Sequence, residues 1–190
     1  MSAAAPRIRC FAPVADPATA HTLILGSMPG EASLQAGQYY AHPRNQFWPI
    51  MGALFGAHPS LPYEERLRAL SRAGIALWDV LASCTRSGSL DTAIDLCSAQ
   101  ANDFATFLDA HPMIDRVCFN GSLAERRFRL DVMPRVRSLN TVRLPSTSPA
   151  HAALSAAEKL DAWRQVLQPQ RAGAVRARAQ SDQHRIDTIK

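Results

Sequence analysis

The chain has 190 residues, 47% hydrophobic and 19% charged, with a formal net charge of +5. That balance excludes a disordered protein, and no apolar run reaches the ~20 residues a membrane span needs. The length suits one domain with tails, and the opening residues, MSAAAPRIRCFAPVADP, lack the long apolar core of a secretory signal, so an intracellular, cytoplasmic protein is expected.

Residues 1–18 carry three prolines and no periodicity, which predicts an N-terminal arm lying on the surface. Residues 19–169 read as one domain. Its first strand is Thr22 to Leu25, and it feeds a loop that runs from Gly26 through Ser27, Met28, Gly30, Tyr39, Tyr40, His42 and Arg44 to Asn45. Phe47, Ile50, Met51, Leu54 and Phe55 then recur at helical spacing, with Asn45 placed to cap and Pro49 tolerated in the first turn. A second helix spans Tyr63 to Ala73 and stops at Gly74.

Ile75 to Leu81 reads as a strand with one misfit, Asp79, toward its carboxyl end. A polar loop, Ser83 to Leu90, and a short segment to Cys97 follow, then a helix from Asp103 to Ala110. Arg116 to Phe119 is the third strand, with Asn120 and Gly121 at its end and a basic helix, Ser122 to Arg129, after it. Thr141 to Leu144 is the fourth strand. It enters a second loop, Pro145 to His151, made largely of hydroxyls and prolines. Ser155 and Glu158 have the spacing of a capping box before a last helix whose apolar face is Leu160, Trp163, Val166 and Leu167. Residues 170–190 are polar and Arg-rich, which predicts a basic, mobile tail.

Strands alternating with helices predict an α/β fold, a four-stranded parallel sheet covered on both faces with right-handed crossovers. In such a sheet, ligands bind beyond the carboxyl ends of the strands, so the two polar loops are expected to share one rim and form a cleft.

Charge and cysteine say less. The pI near 9.4 comes almost wholly from arginine, because Lys159 and Lys190 are the only lysines. Clusters at Arg126, Arg127 and Arg129, at Arg135, Arg137 and Arg143, and at Arg171, Arg176 and Arg178 could meet the phosphates of a polyanion, although a charge run is more often a solvated face. Cys10, Cys84, Cys97 and Cys118 lack the spacing of a zinc knuckle or ribbon, so no metal is expected. Scattered ligands of an iron–sulfur cluster are a weaker alternative, since Cys118 in an apolar strand reads as a buried thiol.

The strings GSMPG, YYAHPRNQFW and LPSTSPAHA, in that order over roughly Thr22 to Leu167, resemble the uracil-DNA glycosylase superfamily. The resemblance is nearest to its mismatch-specific thymine/uracil branch and, closer still, to its hypoxanthine-DNA (deoxyinosine) glycosylase branch. It implies a three-layer α/β/α sandwich, a base-excision enzyme that flips a deaminated base out of DNA, no cofactor, and a monomer acting on DNA.

In the mismatch-specific branch the first motif reads GxNPG, and its asparagine positions the attacking water. Met28 stands there in this chain. The hypoxanthine branch is similar in lacking that asparagine and relies on the asparagine of HPRNQFW, Asn45 here. Leu144 replaces the histidine or asparagine that usually precedes Pro-Ser. The resemblance makes Asn45 and Ser27 the catalytic candidates and groups Tyr40, Phe47, Asp79, Met28, His42 and Asn120 around the base. Ser146, Thr147, Ser148, His151 and Arg44 are the candidate DNA contacts.

The chemistry suits those residue types. Breaking an N-glycosidic bond develops positive charge on the sugar and negative charge on the base, which calls for fixed donors at the base and a held water at the sugar. Asn45 offers both acceptor and donor for that water, and Tyr39, Tyr40 or Phe47 could stack on a flipped ring. With no lysine in either motif, water is the expected nucleophile. Each residue also has a plainer reading: Asn45 as a helix cap, His42 as a backbone partner, Asp79 as the partner of a buried arginine, and the serines as a turn. Two other functions stay open, a lesion-binding protein that does not cut and a nucleotide-binding enzyme.

Overall fold

A computed structural model describes residues 5–168. In chain order the elements are β1 Arg7–Arg9, β2 Thr22–Gly26, α1 Glu31–Ala36, α2 Phe47–Phe55, α3 Tyr63–Arg72, β3 Ile75–Asp79, β4 Leu81–Arg86 and β5 Ile94–Ala101. They are followed by α4 Phe104–Ala110, β6 Arg116–Asn120, α5 Ser122–Asp131, β7 Asn140–Leu144 and α6 Ala156–Leu167. The tail expected over 170–190 lies outside the described residues.

The expected four-stranded parallel sheet is present, in the order β3-β2-β6-β7. Its middle strands are buried on both faces, as parallel strands under two helical layers must be. Leu23, Leu25, Ala76, Trp78, Val117 and Phe119 point to one layer, where Phe104, Phe107 and Phe128 from α4 and α5 cover them. The alternate residues Ile24, Leu77 and Cys118 point the other way, against Phe47, Met51, Leu70 and Trp163 from α2, α3 and α6. The result is an α/β/α sandwich. Successive connections run from β2 to β3 on one side and on to β6 on the other, so the order reverses beside β2. That reversal opens a crevice at the carboxyl ends of β2 and β6.

Three local expectations are corrected. Ile75 to Leu81 is not one strand: the chain leaves the parallel sheet after Asp79, and β4 begins a separate antiparallel sheet in the order β1-β4-β5. The first half of the segment expected as a polar loop, through Arg86, is therefore strand. Its serines and threonine pair across a small sheet with register shifts, which blurs the alternation a sequence reading relies on. The N-terminal arm is also built in, since Arg7–Arg9 pair with β4 and Val14 bridges to Leu77. Such long-range pairing leaves no local signal. Finally, a short helix, α1, stands inside the first motif loop.

Phe128 is almost fully buried between Phe104 and Phe119, at 5.3 and 5.2 Å between ring centroids. Phe128→Ala is expected to cost about 3–5 kcal/mol, measured by urea unfolding.

Candidate active site

The crevice is floored by Gly26, the last residue of β2. Its register partner in β3 is Asp79, whose carboxylate lies so close that a Cβ at Gly26 would come within 2.4 Å of Oδ1. Only glycine lets the two strands end this way. Asp79 is 3% exposed and its Oδ2 has no hydrogen-bond partner. Burial, with the nearby Asp91 charge adding to it and Arg86 opposing, pushes its pKa up to about 7.

Tyr40 closes the same spot. Its hydroxyl would lie 3.3 Å from a Cβ at Gly26 and has no hydrogen-bond partner, although the Asn120 amide is near enough to favour the phenolate. Burial, followed by the Asp79 charge, raises its pKa nonetheless. Tyr40 is the one non-glycine residue described at positive φ, 56°, a conformation that a bulky side chain adopts only when its surroundings impose it. Phe47 supplies that constraint, stacking on the Tyr40 ring at 3.9 Å and 22°. Phe47 itself is wholly buried, so it backs Tyr40 and does not meet a base. Taken as a whole residue, Tyr40 is half-buried.

Three segments are tied together around Thr147, which is 0% exposed. Asn120 Nδ2 donates to Thr147 Oγ1 at 2.8 Å and Asn120 Oδ1 accepts from the Thr147 N–H at 2.8 Å. The Thr147 carbonyl accepts from Gln46 N–H at 3.0 Å. Thr147 is thus a fastener between the loops and not the phosphate contact expected. Gly121, at φ +101°, is the hinge that admits this approach: a Cβ there would stand 3.2 Å from Ser146. From below, Trp163 Nε1 donates to the Pro145 carbonyl at 3.0 Å and the buried Lys159 Nζ donates to the His151 carbonyl at 2.7 Å.

On the rim, Ser146 Oγ accepts from Ser148 N–H and Ser148 Oγ accepts from Ala150 N–H, each at 3.2 Å. Both hydroxyl protons stay available to an anion. Asn45 Oδ1 accepts from Phe47 N–H at 2.9 Å at the start of α2. Gln46, not Asn45, is the N-cap residue and its side chain makes no cap, so Asn45 only meets the first N–H of α2; one lone pair and both amide protons of Asn45 stay free, and the residue is only half-buried. His42 Nδ1 accepts from Arg44 N–H at 3.1 Å, so its neutral ring carries the proton on Nε2, while Arg44 is exposed.

Met28, grouped with the base contacts by sequence, points elsewhere. It is buried with Leu81, Cys84, Ile94 and Leu123 in a third apolar cluster beneath the small sheet. Ser27 Oγ instead donates to Asp91 Oδ1 at 2.6 Å, and Arg86, 2% exposed, donates from Nη2 to the Pro29 carbonyl. Asp91, Arg86 and Lys159 escaped the sequence reading. Lys159 did leave a trace, because it lies one turn from Trp163 on the apolar stripe of α6. Several of the arginines are spoken for, with Arg127 of α5 on Asp131 at 2.6 Å and both Arg129 of α5 and Arg143 of β7 on Glu125 at 3.0 and 3.3 Å.

Fold and site together define an α/β protein with a buried carboxyl, a strained tyrosine and an asparagine gathered beyond the carboxyl ends of a parallel sheet, the place where such sheets bind ligands. The chain belongs to the uracil DNA glycosylase superfamily, whose family model matches residues 13–168. A hypoxanthine DNA glycosylase of Methanosarcina barkeri is 43% identical over 112 residues, covering 58% of this chain and 69% of that protein. Another from Methanosarcina acetivorans is 35% identical over 134 residues, covering 70% and 82%. A solution NMR structure of a protein from Methanosarcina acetivorans, provisionally described as a uracil DNA glycosylase, superposes with a TM-score of 0.69 at 33% identity, covering 85% of this chain and 97% of that one.

Because the Asp79 pKa is raised on folding, the folded state holds a proton that the unfolded chain releases. Its contribution to stability is full below about pH 4 and is lost as pH rises toward 7. Asp79→Asn is expected to remove that slope, making the variant more stable than the parent at pH 7.5 by a few kcal/mol on the order set by the shift, with the gap narrowing at pH 4. Urea unfolding at the two pH values reads it.

Proposed function

We propose that this chain is a monofunctional glycosylase, acting as a monomer inside the cell, that hydrolyses the N-glycosidic bond of a deaminated base flipped from DNA, hypoxanthine before uracil. The observation that carries this reading is the unpaired Asp79 Oδ2 beside the unpaired Tyr40 hydroxyl at the floor of the crevice. Two buried polar atoms left unsatisfied together are costly unless a ligand completes them. Hypoxanthine presents an N1–H donor next to an O6 acceptor, and uracil presents N3–H next to O4. A neutral carboxyl can serve both, accepting from the N–H with one oxygen and donating from the other.

Tyr40 stacks on the base, with His42 Nε2–H and the Asn120 amide as further donors. Asn45 holds the attacking water with its free lone pair and amide protons, and the backbone at Ser27 meets charge developing on the base. Arg44, Ser146, Ser148 and His151 follow the phosphates. Lys159 is bound by loop carbonyls, so it supports water and not an amine as nucleophile. The Methanosarcina relatives named as hypoxanthine DNA glycosylases favour the purine as first substrate. Burial of Met28 in the core favours the second reading, a lesion-binding protein that does not cut.

Alkali nicking of labelled duplexes carrying one deoxyinosine, uracil or xanthine separates the two. Asn45→Ala is expected to lower base release about 100-fold or more with the fold intact. Asn45→Asp keeps an acceptor for the Phe47 N–H, so wild-type release by that variant would reduce Asn45 to that contact. Tighter binding of lesion duplexes with no base release would establish the non-catalytic reading. Binding is also expected to weaken linearly in log–log terms with salt, by about 0.9 per phosphate neutralised, and a flat response would remove the basic rim from the DNA footprint.

A further inference from the structure

The short hydrogen bond from Ser27 Oγ to Asp91 is not required by the fold of either segment. Ser27 follows the last residue of the central strand β2, whereas Asp91 begins a single exposed helical turn, Asp91–Ala93, before β5 of the small antiparallel sheet. The loop carrying Asp91 is closed over the first motif a second time, where Ser89 Oγ accepts from Glu31 N–H at 2.9 Å. Ser27 is also fixed through its backbone, since its carbonyl accepts from Leu81 N–H at 3.1 Å and the Gly26 carbonyl from Val80 N–H at 2.9 Å. With Met28 in the core and Pro29 next, Ser27 offers the only polar side chain of this turn.

We propose that Asp91 is a positioning residue for base excision: it takes the Ser27 hydroxyl proton, so that Ser27 turns only lone pairs to the crevice and accepts a proton from the attacking water. This role rests on the glycosylase reading of the site. In the step, the water oxygen bonds to C1′ while the C1′–N bond breaks with its electron pair leaving on the base. One water proton passes to Ser27 Oγ as the Ser27 proton passes to the Asp91 carboxylate. Asp91 then releases that proton to solvent, on which its residue opens, and the departed base anion takes one from solvent.

The surrounding charges fit the assignment. Arg86 of β4 faces both carboxyls and is buried with Nε and Nη1 unpaired, and Asp79 at the end of β3 and Cys84 of β4 are the other titratable groups against Asp91. Tyr40 faces Asp79 from the loop. Burial raises the Asp91 pKa, while the Ser27 bond and Arg86 hold it down. Two carboxyls sharing one buried cation titrate as a pair.

The test is single-turnover release of hypoxanthine and of uracil from duplex DNA between pH 5 and 9, by the full chain, Ser27→Ala, Asp91→Asn, Asp91→Glu and the double variant Ser27→Ala/Asp91→Asn. Asp91→Asn is expected to be about 100-fold slower near neutral pH, with lesion-duplex affinity unchanged and the acid limb of the profile gone. It should also move the Asp79-dependent alkaline limb to lower pH, because the charge that raises Asp79 is removed. Asp91→Glu should recover part of the rate, and the double variant should be no slower than the slower single one, as for groups acting as a unit. A wild-type rate with an intact acid limb in Asp91→Asn, or losses that multiply in the double variant, would overturn the proposal while leaving the glycosylase reading in place. No base release by the unaltered chain would overturn both.

Discussion

The site depends first on the clasp between Asn120 and Thr147. Two reciprocal hydrogen bonds of 2.8 Å hold the loop after β7 to the end of β6, and the Thr147 carbonyl holds the start of α2 at 3.0 Å. Neither loop has regular structure to fix it at this point. Each bond contributes only about 1 kcal/mol net, but opening one would strand a buried group at a cost of about 1–3 kcal/mol. The clasp is therefore stiff for its size. It places the Asn45 amide, the serine hydroxyls and the Tyr40 ring on one rim although they arise about 100 residues apart in the chain.

Beneath the clasp the structure does the opposite and leaves polar atoms unpaired. Asp79 Oδ2, the Tyr40 hydroxyl and two nitrogens of Arg86 lie within a region that is otherwise strand ends and apolar side chains. Tyr40 adds a left-handed backbone, held by the stack on Phe47. The two large cores on either face of the sheet are by contrast almost wholly hydrophobic. Stability is thus supplied by the cores and given up at the carboxyl ends of β2 and β3, where a ligand can recover it.

What was legible in the sequence follows from the range of the interactions concerned. The parallel strands showed because residues buried on both faces give continuous apolar runs, and the last helix showed because Ser155 and Glu158 form the capping box within four residues. Asn45 was legible both as a cap and as a site residue; Gln46 takes the cap position, and the free amide of Asn45 supports the second use. The β1-β4-β5 sheet was not legible, because Arg7 meets Thr85 across the fold and the polar Ser83 and Thr85 flank Cys84 in β4. Thr147 was misread for a related reason. A threonine in a hydroxyl-rich loop looks like a surface contact, and only the three-dimensional approach permitted by Gly121 shows it buried. Asp91 left no pattern at all, since its partner Ser27 lies 64 residues away.

The same absence of local pattern explains how one buried arginine can serve two carboxyls. Asp79 lies deep, with its outer oxygen unpaired and nothing but burial and charge acting on it, so its neutral form persists toward pH 7. Asp91 is also pushed up by burial, but the Ser27 hydroxyl that donates to it and the Arg86 charge oppose that push. Arg86 pulls each toward ionisation, but Asp79 also feels Asp91, and like charges near one cation cannot both be satisfied by it. The two carboxyls therefore titrate as a coupled pair, in which Asp79 feels both its own burial and its neighbour's charge. On the glycosylase reading proposed above, the cluster is kept polar because breaking a glycosidic bond needs a donor toward the departing base and a sink for the proton of water.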